Sequence, residues 1–105
     1  MIQYVYPDGT EITDHVCVVT DHFLTTFLLK IRGNVKASKI KILIQQKLEV
    51  VKIENLEDQG FRVKIRSLCI PSIFLISYLI EPHCPVVKIS QVEQIGVVQP
   101  ILQLV

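Results

Sequence analysis

Between Lys30 and Arg66, cationic residues alternate with branched apolar ones: Lys30-Ile31-Arg32, Lys39-Ile40-Lys41-Ile42, Lys52-Ile53 and Arg62-Val63-Lys64-Ile65-Arg66. Successive side chains leave a strand on opposite faces, so this period predicts half-buried strands. Phe61, Val63 and Ile65 then share a core face, and Arg62, Lys64 and Arg66 share a polar one. The rest of the chain supplies strands of similar length. Gln3-Tyr4-Val5-Tyr6 and Thr10-Glu11-Ile12-Thr13 flank Pro7-Asp8-Gly9, which predicts a hairpin: Pro presets its own φ and Asp-Gly supplies the positive φ of the turn. Val16 to Val19, bracketed by Thr-Asp-His at 13–15 and again at 20–22, predicts a buried strand.

Two segments fit either period. Phe23 to Arg32 makes a helix with a Phe23/Phe27/Leu28/Ile31 stripe closed by Gly33-Asn34, or a strand with Phe23, Thr25, Phe27, Leu29 and Ile31 on one face. The adjacent Thr25 and Thr26, and the alternation that continues into Arg32, favour the strand. In residues 39–53, Ile40, Ile42 and Ile44 suit a strand while Gln45 to Glu49 can extend a helix. Beyond them, Leu48 to Ile53 and Phe61 to Ser67 are predicted strands around an acidic loop at 54–60. Ser72 to Ile80, apolar on both faces, is predicted as a central strand. Glu81 to Pro85 is a turn, and Val86 to Ser90 and Val97 to Val105 are the last strands, with Pro100 at an edge or bulge. Short strands with a turn every ~8–12 residues predict an all-β domain. The expectation is an antiparallel β-sandwich or small barrel of about seven or eight short strands, with room for one helix between residues 21 and 46.

Size and composition sharpen this picture. The 105 residues make a single domain, 1–105, that can bury a core without disulfides or metals. Half of them are hydrophobic and the mean hydropathy is +0.43. A domain this small cannot hide that much apolar surface, so the excess is expected to face a partner, a second copy or a lipid. Net charge is only +1, but ten of the eleven Lys and Arg residues fall between Lys30 and Arg66. Residues 1–29 carry Asp8, Glu11, Asp14 and Asp21 and no cation. Cys17, Cys69 and Cys84 include no Cys-x-x-Cys pair, and two of them have apolar flanks, as buried reduced thiols do. With no charged n-region or apolar h-region after Met1, the expected compartment is intracellular and cytoplasmic. The longest apolar run, Leu68 to Ile80, spans 13 residues. A transmembrane helix needs about 20, so none is expected.

Candidate chemistry is sparse. His15, Cys17 and His22 with His83 and Cys84 match no zinc-ligand spacing, so neither a metal nor a cofactor is expected. Cys84 beside His83 is the one pairing of nucleophile and base, in a turn where a thiol can be exposed. Neighbours on an extended chain point apart, however, and no oxyanion-hole signature accompanies them. Asp14-His15 and Asp21-His22 read as turn residues. A non-enzymatic role follows, with two surfaces to carry it. The uncharged C-terminal stretch offers Val97, Val98, Ile101, Leu102, Leu104 and Val105 as an apolar edge strand, suited to a homodimer or to another protein. Alternatively, Lys39, Lys41, Arg62, Lys64 and Arg66 form one basic face for nucleic acid or an anionic membrane. That face lacks the aromatics that stack bases, since Phe61 alternates to the other side.

Overall fold

The computed structural model describes residues 2–12 and 18–100, the backbone alone at 18 and 100. Its elements are β1 (Gln3–Val5), β2 (Val18–Ile31), α1 (Ala37–Gln45), β3 (Glu49–Asn55), β4 (Phe61–Ser67), α2 (Ile73–Ile80) and β5 (Val86–Pro100), with one 3-10 turn at Glu57–Gln59. The five strands form one open mixed sheet in the order β1-β5-β2-β4-β3. β1 runs parallel to β5, and every other pair is antiparallel. From β2 onward the connectivity is β-α-β-β-α-β with strand order 5-2-4-3, the split βαβ or ferredoxin-like topology. That topology fixes a shape and no function. Among the described residues there is no second sheet and no closed barrel, so the expected sandwich or barrel gives way to a single sheet covered on one side.

The cover is the two helices. Ile40, Leu43 and Ile44 of α1 and Ile76 and Ile80 of α2 join Phe27, Leu29, Val50, Phe61, Val63 and Ile65 in one core. On β4 the alternation holds: Phe61, Val63 and Ile65 are buried, while Arg62 and Arg66 are exposed. Full burial of each such side chain contributes about 1.5–3 kcal/mol.

One segment left open between the two periods and one predicted strand are helices. At 37–45 the buried residues fall at 40, 43 and 44, the helical spacing, and Ile42 is exposed. This is the one helix allowed between 21 and 46, and Phe23 to Ile31 is strand, as favoured. Ser72 to Ile80, expected as a central strand, is α2 instead. Pro71 precedes it, and the Ser72 hydroxyl caps it by accepting a bond from the Leu75 N–H at 3.1 Å. A segment apolar at nearly every position carries neither period, so the cap and the available face of the sheet decide its form.

Val86 to Ser90 and Val97 onward, expected as separate strands, belong to one strand. It stays paired with β2 through bulges at Val87 and Val92. β2 and β5 outrun the other strands: β4 pairs β2 only from Phe23 to Leu29, whereas β5 continues to Pro100 opposite Val18. With β1 alongside, this ribbon gives extents of 58 × 24 × 20 Å. The N-terminal hairpin forms around Gly9 (φ 91°), with the Tyr6 N–H donating to the Thr10 carbonyl at 2.9 Å. Among the described residues its second arm pairs with β1 through one bridge, Val5 to Glu11, while β5 takes the other edge of β1. Of the strand expected at 16–19, residues 16 and 17 lie outside the described residues.

Two glycines are held for different reasons. Gly60 has φ 95°, and a Cβ there would fall 2.0 Å from the Leu29 carbonyl oxygen. At Gly96 a Cβ would meet the Tyr4 ring at 2.6 Å and touch the Phe23 ring at an ordinary 3.5 Å. Gly60→Ala is expected to cost about 2–4 kcal/mol, since both backbone strain and a backbone clash oppose it. Gly96→Ala is expected to cost about 1 kcal/mol, because the partly exposed Tyr4 ring can move aside. Urea midpoints compared with wild type measure both. Thr25, fully buried on the core face, has a hydroxyl with no hydrogen-bond partner among the described residues. Thr25→Val should therefore leave the midpoint unchanged or raise it.

Candidate functional site

The sheet face away from the helices is open, and pairing across the strands sorts its side chains into rows. Lys52, Lys64, Thr26 and Glu93 lie side by side across β3, β4, β2 and β5. The next row is Glu54, Arg62, Leu28 and Ser90, and on the other flank Glu49, Arg66, Leu24 and Ile95 align. Lys30 stands opposite Lys88. Two of these neighbours are like charges directly opposed, Lys52 with Lys64 and Lys30 with Lys88, an arrangement that destabilises a sheet unless something neutralises it. Glu54 does part of this work: its carboxylate lies 3.0 Å from Lys52 Nζ and 3.9 Å from Arg62 Nη1. A depression of about 340 Å³ lies among Lys52, Arg62, Lys64, Glu54 and Glu93. Buried Thr26 lines it, with a hydroxyl that has no hydrogen-bond partner among the described residues.

This face holds only part of the expected basic patch. Arg62, Lys64 and Arg66 are on it, but Lys39 and Lys41 lie on α1, which packs against the opposite side of the sheet. The 39–42 alternation mimics a strand, and its helical geometry takes the two lysines across the core.

The apolar edge is also relocated. Val97 and Val98 are 6% and 0% exposed, on a strand already flanked by β1 and β2. Ile101, Leu102, Leu104 and Val105 lie outside the described residues. β1, however, covers β5 only from Ile95 to Val97. Among the described residues, Val86 to Gln94 pairs with β2 on one side and with no strand on the other. That leaves nine residues of free edge, roughly 30 Å at ~3.3 Å per residue. The other long edge, β3, is shorter and carries Lys52, Glu54 and a bulge at Val51. Charges and bulges of this kind guard an edge against stray pairing. Val51, Val87 and Val92, each about half exposed, are bulged residues, which explains why these apolar side chains escape the alternation. No spacing in the sequence signalled these bulges, and the free edge follows from the sheet order alone.

A separate apolar surface lies on α2. Phe74 and Tyr78, one turn apart, are 85% and 74% exposed on the side away from the core, and Leu68 in the preceding loop is 81% exposed. No charged residue occurs in α2.

The remaining candidate chemistry disperses. Cys84, in a turn where a thiol can be exposed, is 2% exposed and belongs to the core, while His83 beside it is exposed. Asp14, His15 and Cys17 lie outside the described residues. Asp21 is itself a bulge in β2, which lets adjacent side chains meet: His22 Nδ1 is 2.8 Å from Asp21 Oδ2. Among the described residues no three His, Cys, Asp or Glu side chains are grouped so as to hold a metal ion.

The hydrogen bond from Lys52, then its charge, and then the charges of Arg62 and Lys64 hold the Glu54 carboxyl below its ordinary pKa. The folded state therefore favours the carboxylate. Any stability from this pair is present above the ordinary carboxyl pKa and is lost as pH falls through the depressed value. An NMR titration should find the Glu54 midpoint below that of a solvated glutamate, and Lys52→Met should move it upward.

No family model, curated protein or solved structure matches the chain.

Proposed function

We propose that the protein is a non-enzymatic protein–protein interaction module that self-associates as a homodimer through an edge of its sheet. The observation that carries this reading is the free side of β5 from Val86 to Gln94. Unpaired backbone N–H and C=O groups along a strand form a template for another strand, with hydrogen bonds supplying affinity and side chains supplying register. The apolar excess supports it, because homodimer interfaces are more apolar than ordinary surface. Phe74 and Tyr78, at ~150–250 Å² per aromatic side chain, together expose about 300 Å². With Leu68 this is a patch of the size that marks interaction sites, about 300–600 Å². α2 packs on β5, so patch and edge belong to the same flank of the molecule.

A second reading rests on the opposed Lys52 and Lys64. Together with Arg62 they give the open face a local excess of positive charge that phosphates of a nucleic acid or an anionic lipid surface can neutralise. It is the weaker of the two, because Glu54 and Glu93 stand in the same depression and no aromatic residue does.

Light scattering at low and high salt separates them. The expected mass is twice the 12.0 kDa of the chain, maintained at high salt. A monomer under every condition, with binding of nucleic acid or anionic vesicles that disappears with salt and with Lys64→Glu, would overturn self-association in favour of the polyanion reading.

A further inference from the structure

On the open face of β5 the bulge at Val92 brings Glu93 next in line after Ser90, with Lys88 on Ser90's other side. This follows from the pairing with β2: Lys30, Leu28 and Thr26 point to that face and stand opposite Lys88, Ser90 and Glu93. Neither charge has an ionic partner among the described residues, and Lys88 faces another cation, Lys30. The segment Val86–Gln94 is therefore neutral overall but carries one unsatisfied charge of each sign, equally placed about Ser90.

That symmetry is what an isologous two-fold contact requires. We propose that a second copy of this chain adds its β5 antiparallel to the free edge of the first, with the two-fold axis at Ser90. This inference rests on the self-association reading and specifies its surface and register. Ser90 then opposes Ser90 of the second copy, Ile89 opposes Gln91, Lys88 opposes Glu93 and Val86 opposes Gln94. Each opposed pair lies on one face of the sheet, Lys88 and Glu93 on the open face, Ile89, Gln91, Val86 and Gln94 on the helix face. The Val92 bulge of one strand and the Val87 bulge of the other fall at successive steps and compensate, so the ladder returns to register. A displacement by one residue loses this match, because it turns every side chain of the added strand to the wrong face. The product is one continuous ten-stranded sheet, with both copies' helices on the same side and two Lys88–Glu93 pairs across the junction. Those pairs place a carboxylate beside the Lys30–Lys88 repulsion that the single chain leaves standing. Val86 and Ile89 pack on the core that includes Ile76 and Ile80 of α2, so the two α2 helices flank the axis.

Charge exchange at the two positions tests the register. Lys88→Glu sets Glu against Glu twice, and Glu93→Lys sets Lys against Lys twice. Each is expected to raise the dimer dissociation constant by roughly tenfold or more, on the scale of cross-strand charge pairs. The double variant, Lys88→Glu with Glu93→Lys, is expected to recover affinity to within about threefold of wild type. Circular dichroism and urea midpoints, taken at a dilution where both proteins are monomeric, confirm that each variant folds; there Lys88→Glu, which faces Lys30, should be no less stable than wild type. As a geometric readout, Ser90→Cys in a Cys69→Ser background should give an oxidised, covalent dimer, and the Cys69→Ser chain alone should not. Opposed Cα atoms in an antiparallel pair are ~4.5–5.5 Å apart, within disulfide range. A wild-type dimer that neither single charge variant weakens and that Ser90→Cys does not crosslink overturns this register and leaves self-association standing. A wild-type monomer at all concentrations removes both.

Discussion

β2 is hydrogen-bonded along both edges while one of its faces holds the centre of the core. β4 pairs with it over Phe23–Leu29, and β5 over nearly its whole length. Phe27 and Leu29, both fully buried, point from it into the helices. A strand in this position admits little variation. Its helix-side residues must be apolar or small, its backbone groups must all be paired, and a slip of one residue on either side would exchange core for surface. The hydroxyl of Thr25 on the helix side, with no partner among the described residues, marks where that demand is met imperfectly: its shape and β-propensity suit the strand, but its oxygen is unpaired. β3 and α1 pack outward from β2 through β4, and β1 and α2 through β5.

The three bulges at Val51, Val87 and Val92 have a common effect. Each inserts an apolar residue that turns to the surface without carrying its neighbours with it, so the strand beyond stays in phase with the core. On β3 the bulge sits among charges and blunts an edge. On β5 the Val92 bulge sets which charges share a face, and it makes the spacing from Lys88 to Ser90 equivalent to that from Ser90 to Glu93. A periodic strand would have placed Lys88 and Glu93 on opposite faces. The interface proposed for β5 is thus a property of the irregularities in the strand, and the apolar patch on α2 lies beside it.

Charge on this chain is arranged by tertiary pairing and only loosely by sequence. The run of cations from Lys30 to Arg66 reads as one surface, but α1 removes Lys39 and Lys41 to the far side of the sheet, and Glu54 interposes between Lys52 and Arg62. What remains on the open face is a mixture in which two lysine pairs are opposed and the nearby carboxylates only partly offset them. Such a face is compatible with anionic ligands. Its missing aromatics and its two glutamates keep that reading secondary to strand pairing.

Much of the sheet was legible in the sequence. The alternation of Phe61 to Arg66 determined β4 and its two faces, Thr25-Thr26 and the period around them favoured strand over helix for Phe23 to Ile31, and Pro7-Asp8-Gly9 determined the hairpin turn, because these signals are local and act within a few residues. The excess of apolar residues over what a domain of this size can bury was equally readable. Tertiary structure alone decided that Ile73 to Ile80 is a helix, because a uniformly apolar segment has no period and takes the form that the uncovered sheet face and the Ser72 cap select. It also decided that Val97 and Val98 are covered while Val86 to Gln94 is open: an edge is defined by which strand is absent beside it, and strand order depends on contacts between residues far apart in the chain.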